Sequence, residues 1–372
     1  MKYRPKHTLI VAGGGTGGHV LAGIAVADQW RARYGFEARV VFVGAKGGIE
    51  EKLVPRAGYP LKLLKLGSLN RVSLWRKIRT AFQLPVSFVK SVLFIMSLRP
   101  KAILGVGGYA SGPVVLMGRV LSGLHLIRAK TAILEQNSVA GLTNRILGRF
   151  VNVVCSAFPG LETQFDLEKL VVTGNPVRAI MKPLPAAPRE PFTIFIFGGS
   201  QGAIGMNTLV LAALPELKDL FPRIRFVHQT GEKDYQRVLA AHQKAGSPAR
   251  VEKFIYEMDQ TYAVASLVIC RAGSSTLSEL AAVGRAAVLV PLPTAADNHQ
   301  EENAKLFFNA GASFVLHQQG SKGSDLAKLI RELIRNPAQI DQMESAVRRF
   351  YAPTAADAIV LALSDRRASA RS

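Results

Sequence analysis

The chain opens the same local pattern twice. Residues 8–20, TLIVAGGGTGGHV, pass from a β-branched apolar run through five glycines into a helix-length segment, and residues 193–207, TIFIFGGSQGAIGMN, repeat that order. A strand that breaks into glycines and re-forms at once as a helix leaves backbone N–H groups aimed beyond the strand, the start of a nucleotide-type α/β unit. Further strand-like runs at 38–43, 101–105, 131–134 and 151–155, then at 224–228, 267–270 and 286–290, alternate with helix-length segments. The expected fold class is α/β, with two Rossmann-like parallel sheets covered by helices on both faces. The stretch MKPLPAAPREP, 181–191, carries four prolines near the middle of the 372-residue chain. It divides the chain into a first domain over 1–180, a linker over 181–187 and a second domain over 188–349. Residues 365–372, DRRASARS, are polar and basic and read as a disordered tail.

Gly13, Gly15 and Gly18 satisfy the dinucleotide spacing G-x-G-x-x-G. A nicotinamide site also needs an acidic residue at the tip of the next strand, to hold ribose hydroxyls. That tip is Val43-Gly44-Ala45-Lys46, and Glu37 lies at the other end of the strand. His19 stands at the helix start, where the loop puts an imidazole beside a bound anion. These two departures argue against an oxidoreductase.

Charge narrows the partners. Of 47 Lys and Arg against 26 Asp and Glu, the first 150 residues hold 23 against 5, so +18 of the net +21 lies there. Such a field suits nucleic acid or an anionic membrane surface. No aromatic-studded RNA-binding signature, zinc spacing or basic recognition helix accompanies it, so no nucleic-acid partner is expected. The most apolar stretch, residues 82–98, is interrupted by Lys90 and is shorter than the ~20 residues that span a bilayer. Its part 86–98 reads as an ordinary helix packed on a sheet. The preceding segment 70–82, where Arg71, Arg76, Lys77 and Arg79 surround Trp75 and Phe82 follows, reads as a membrane interface. Cys155 and Cys270 sit in apolar strand-like runs and are expected as buried thiols in a reducing compartment, with no secretory leader ahead of the first glycines.

Four more stretches carry polar chemistry at strand ends. GGYASGP (107–113) offers close backbone approach; LEQNSVAGLTNR (134–145) ends a strand in Glu-Gln-Asn. RAGSSTLSEL (271–280) is a helix start whose Ser274, Ser275 and Thr276 either cap the helix or meet an anion, with Glu279 a turn further on. PLPTAADNHQEENA (291–304) sets His299, Gln300 and Asn303 past a buried strand.

Through GGGTGGHV, GGYASGP, EQN, GNPVR, GGSQGA and RAGSSTLSE, in that order, the chain resembles the MurG family from about residue 8 to residue 357. These are UDP-N-acetylglucosamine-dependent transferases that complete lipid II for peptidoglycan. The resemblance implies the GT-B fold, two domains facing across a deep cleft, with a last helix at about 350–364 returning to the first. It places Thr16, Gly17, Gly18, Asn137, Arg178 and Ser200 around the donor diphosphate and sugar, and Ile255 by the uracil. Ser274, Ser275, Thr276, Leu277, Ser278 and Glu279 then follow the nucleotide and ribose, and Gln300 faces the sugar hydroxyls. The implied reaction moves N-acetylglucosamine from UDP-GlcNAc to the 4-hydroxyl of the muramyl sugar of lipid I (undecaprenyl-pyrophosphoryl-MurNAc-pentapeptide), with inversion. His19 is the candidate catalytic base, since imidazole titrates near working pH. No cofactor and no metal are expected, there being no Asp-x-Asp pair to present a divalent ion. The implied setting is peripheral, on the cytoplasmic face of the bacterial inner membrane, with other cell-wall enzymes as partners. Another GT-B enzyme, a glycolipid glycosyltransferase or a UDP-sugar epimerase, and a non-catalytic membrane scaffold are the alternatives.

Overall fold

A computed structural model describes residues 5–64, 74–199 and 201–364, the side chains of 74–84 excepted. Ser200, the side chains of the basic segment 70–82 and the tail 365–372 therefore lie outside the described residues. The chain divides into two compact units, Met1–Arg178 with Ala352–Ser372, and Ala179–Tyr351.

The first unit runs β1 (His7–Gly13), α1 (Gly17–Tyr34), β2 (Ala38–Ala45), α2 (Glu50–Arg56), β3 (Leu61–Leu64), α3 (Leu74–Leu98), β4 (Ala102–Gly107), α4 (Ser111–Gly123), β5 (Lys130–Glu135), α5 (Leu142–Gly148), β6 (Val153–Ser156) and β7 (Leu170–Val172). Its strands are all parallel, in the order β3-β2-β1-β4-β5-β6-β7. Sequence and topology agree on the centre: Thr8 to Ala12 and Ala102 to Leu104 are buried without interruption, as strands covered on both faces must be. The order reverses between β1 and β4, so the connections that leave them run to opposite faces of the sheet, the kind of point at which such sheets bind ligands.

The second unit runs β8 (Phe192–Phe197), α6 (Ile204–Ala213), β9 (Ile224–Gln229), α7 (Tyr235–Ala245), β10 (Ala249–Glu252), α8 (Met258–Val264), β11 (Leu267–Cys270), α9 (Ser274–Val283), β12 (Ala287–Leu289), α10 (His299–Asn309), β13 (Ser313–Val315), α11 (Gly323–Arg335) and α12 (Pro337–Arg348). It repeats the plan with parallel order β10-β9-β8-β11-β12-β13 and a reversal between β8 and β11. The last helix, α13 (Ala355–Ser364), belongs to the first unit. Ile359, Val360 and Leu363 share a core with Val20, Val26 and Trp30 of α1, and Tyr34 Oη donates to Ser364 Oγ at 2.7 Å.

Three expectations change. Residues 181–187 are packed into the second unit and are no loose linker: Leu184 N–H donates to Val283 O, Arg285 to Pro185 O, and Met181 is buried. Strands β3, β7, β10 and β13 are additions to the expected runs: each is three or four residues long and only partly buried, as edge strands are. Helix α3 is not simply apolar-face-inward. Val86, Val89 and Leu93 are 53, 59 and 65% exposed, while Ser87, Ser91 and Ile95 form its buried face. Small side chains let a helix sit close on its neighbour, here α4, and the Ser91 hydroxyl is satisfied by Ser87 O at 2.7 Å. Both cysteines are fully buried, and burial pushes the Cys155 thiol up to about 12.

The second unit holds a buried histidine pair. His228 Nδ1 lies 3.2 Å from His242 Nε2, Asn207 accepts from His228 Nε2 at 3.1 Å, and Ser247 meets His242 Nδ1. Burial first, and then the facing His242, push His228 down to about 3; burial pushes His242 down to about 4. Unfolded imidazoles take up protons below about 6.5, whereas these do not until far lower. Their contribution is thus complete above that pH and is lost as pH falls, by up to about 1.4 kcal/mol per pH unit for each histidine. Thermal unfolding is expected to show Tm falling steadily from about pH 6.5 toward pH 4.5; a level Tm across that window contradicts the buried neutral pair.

Candidate functional site

The site is built on the carboxyl ends of the central strands, separately in each unit. In the first, α1 begins immediately after the glycines, and Thr16 caps it by accepting from His19 N–H. His19 is the third residue of that helix, and its Nδ1 lies 3.1 Å from Gly14 O. A carbonyl only accepts, so Nδ1 bears a proton there, and in the neutral imidazole Nε2 is then the basic nitrogen. Nε2 faces the glycines after β4: a Cβ on Gly107 would stand 2.9 Å from it, and Gly107 takes φ +102°. Only glycine combines that backbone with that clearance. Gly14 N–H also donates to Gly107 O at 3.1 Å, binding the two loops together.

The third strand end brings Asn137. Glu135 does not face a ligand; buried, it accepts from Asn137 N–H, Asn137 Nδ2, Gly141 N–H and Asn144 Nδ2 at 2.8 to 3.1 Å. It fixes the turn that presents Asn137. Gln136 Nε2 reaches Gly18 O at 3.5 Å, which sets this turn beside the start of α1. Thr16, Gly17, Gly18, His19 and Asn137 are thereby gathered at one strand edge. Arg178, half-buried, is the last residue of this unit before the chain crosses.

In the second unit the glycine turn after β8 closes on itself, Gly202 N–H donating to Gly199 O at 3.0 Å. Gln229, buried at the end of β9, donates to that same Gly199 O at 3.0 Å and accepts from Ile255 N–H at 2.9 Å. One side chain therefore spaces the turn from the segment that holds Ile255, whose own side chain is buried. Helix α9 starts after Gly273 with no side-chain cap, so its first N–H groups are offered outward, as at an anion site. The capping alternative for Ser274 to Thr276 is set aside on that geometry. The side chains of Leu277 and Ser278 are buried, and the Ser278 hydroxyl turns back onto Ser274 O at 2.8 Å. Ser274, Ser275, Thr276 and Glu279 are partly exposed. Tyr262 Oη donates to Glu279 Oε2 at 3.5 Å. Gln300 Oε1 accepts from Leu292 N–H, and Asn303 donates to Ala272 O, so the segment after β12 and the start of α9 are mutually braced.

Gln229, Arg271 and Glu50 escaped the sequence reading. Buried Arg271 donates to Val290 O and Pro291 O at 2.9 Å and holds the turn before α9 against the end of β12. Only its position directly after an apolar run hinted at that. Among the described residues, no three His, Cys, Asp or Glu side chains gather as a metal site requires.

Two nucleotide-type units, each with a glycine turn at its reversal point and one with an open helix start carrying a carboxylate, form the architecture of GT-B glycosyltransferases. The glycosyltransferase family 28 N-terminal domain matches residues 9–156 and the family 28 C-terminal domain matches residues 193–359. The UDP-N-acetylglucosamine–N-acetylmuramyl-(pentapeptide) pyrophosphoryl-undecaprenol N-acetylglucosamine transferase of Syntrophus aciditrophicus is 42% identical over 340 residues, 91% of this chain and 92% of its own. The transferase of the same name from Citrifermentans bemidjiense is 41% identical over 359 residues, 95% and 98% of the two chains. The crystal structure of MurG from Acinetobacter baumannii superposes with a TM-score of 0.76 at 32% identity, covering 96% of this chain and 99% of that one. The chain belongs to glycosyltransferase family 28, in its MurG branch.

Proposed function

We propose that the protein transfers N-acetylglucosamine from UDP-GlcNAc to the 4-hydroxyl of the muramyl sugar of lipid I, forming lipid II. The observation that carries this is a near full-length match to transferases of that name, joined to an imidazole whose Nδ1 is held by Gly14 O at a glycine-lined strand edge. An α-linked donor and a β-1,4 product require one in-line displacement. The acceptor O4 attacks the sugar C1 opposite the diphosphate, its proton passes to His19 Nε2, and UDP leaves with the electron pair of the C1–O bond. The N–H groups at the start of α9, the turn after β8 and Arg178 take up the charge growing on the leaving diphosphate. Glu279, an acceptor-only group, takes hydrogen bonds from the ribose hydroxyls. Transfer of labelled sugar to a lipid I analogue tests the whole reading.

The acceptor is a lipid, and the first unit is the membrane-facing one in this reading. Three features support it: the +18 charge of residues 1–150, the exposed stripe Val86, Val89 and Leu93, and a cavity of about 660 Å3 lined by Arg119, Lys130, Arg149, Lys169, Leu124 and Phe150. That cavity sits at the amino-terminal ends of β5 to β7, away from the glycine loops. Among the described residues no helix is long and apolar enough to cross a membrane, so attachment is peripheral in this proposal. Each Lys or Arg near an anionic surface contributes about 1 kcal/mol. Vesicle co-sedimentation is expected to show binding to anionic and not to neutral vesicles, weakening with salt as the Debye length shortens to ~8 Å near physiological strength. Binding is expected to drop in the Arg71/Arg76/Lys77/Arg79→Gln variant and in Val89→Ser/Leu93→Ser. Equal sedimentation of all three proteins with both vesicles contradicts this role.

A further inference from the structure

The tip of β2 has no acidic residue in sequence, yet a carboxylate is there. Glu50, the first residue of α2, folds back across the turn and is 1% exposed. Its Oε1 accepts from Ala45 N–H and its Oε2 from Gly15 N–H, both at 2.9 Å. A Cβ on Gly14 would stand 2.3 Å from the Glu50 carboxyl carbon, so the glycine loop is shaped around this group. Gly15 N–H and Gly14 C=O are the two ends of one peptide plane, pointing in opposite directions. One end meets the carboxylate, and the other meets His19 Nδ1 at 3.1 Å.

We propose that Glu50 is a positioning residue for His19, acting through the Gly14–Gly15 peptide as an acidic residue acts directly on the imidazole of a catalytic triad. Negative charge at the N–H end polarises the peptide and makes Gly14 O a stronger acceptor. That locks the proton on Nδ1, keeps Nε2 as the base, and stabilises the imidazolium formed when Nε2 takes the proton. The inference rests on the reading of His19 as the base. The other titratable side chains on the segments meeting at this peptide are Lys46, Glu51, Lys52, Tyr109 and Glu135; Glu51 is held by Gly47 N–H and Glu135 by Asn137 and Asn144.

The test is Glu50→Gln, which keeps the shape, removes the charge and sets an amide NH2 against one of the two N–H donors. Transfer from UDP-GlcNAc is expected to show kcat about 10-fold lower, since an orienting group one step removed from the reacting one is worth roughly 10–100-fold. The KM for UDP-GlcNAc is expected to stay the same and the acid limb of the kcat profile to shift to lower pH. In the wild-type protein, 15N spectra of its histidines, with His19 assigned by its absence from His19→Gln, are expected to show the Nδ1–H form. A folded Glu50→Gln protein with wild-type kcat, or with reduced kcat on an unshifted pH profile, overturns the proposal. So does an Nε2–H His19 in the wild type, a result that needs no variant to fold. Full activity in His19→Ala would defeat the base reading itself, whereas an inactive His19→Ala beside an unaffected Glu50→Gln defeats this inference alone.

Discussion

Replacing His19 by Ala is expected to lower kcat by roughly 10²–10⁴ while UDP binding is retained. The size follows from the role: the acceptor hydroxyl has a proton that must leave as its oxygen bonds to carbon, and no other imidazole is held at this strand edge. The retention of binding follows from position, since the groups proposed for the nucleotide, Ile255 and Ser274 to Glu279, belong to the other unit. A loss confined to kcat marks an interaction made only in the transition state. Near-normal kcat in this variant would remove His19 from the chemistry and leave the acceptor diphosphate as the proton's destination.

The second large effect is expected at Glu279. Its removal as Glu279→Ala strips charged hydrogen bonds worth about 1.5–3 kcal/mol, which corresponds to roughly a 10- to 100-fold rise in the KM for UDP-GlcNAc. Glu279→Gln is expected to fall between the two, since an amide oxygen accepts but its NH2 cannot. Isothermal titration with UDP reads the loss directly. Unchanged affinity would mean that the carboxylate only braces Tyr262, whose hydroxyl it already accepts.

The centre of the fold was legible in the sequence and its margins were not. The runs 8–12, 102–104, 192–197 and 267–270 are almost wholly apolar because both faces are covered, and a continuous apolar run of that length ended by a polar or glycine turn has few other readings. Edge strands such as Ala249–Glu252 have one neighbour and more water, so their composition fades into that of a loop. Residues 86–98 differ in another way: Ile95 is buried, as an ordinary packed helix requires, but Val86, Val89 and Leu93 face outward, and apolar character alone does not say which side of a helix is covered. Among the proposed site residues, Thr16 came only with the family resemblance, while His19 could be read from its place after the glycines and Asn137 from its strand end. Glu50 and Gln229 could not, because their roles are set by a turn and by a neighbouring strand, neither of which leaves a local spacing.

Sugar transfer itself is read by incubating the protein with UDP-GlcNAc labelled in the sugar and a soluble lipid I analogue, then following label into the lipid product and UDP into solution. One labelled disaccharide lipid with a β-1,4 bond is expected for each UDP released, with label transfer collapsing in His19→Ala. Conversion of UDP-GlcNAc to another UDP-sugar, release of UDP with no labelled lipid, or an α-linked product would contradict it.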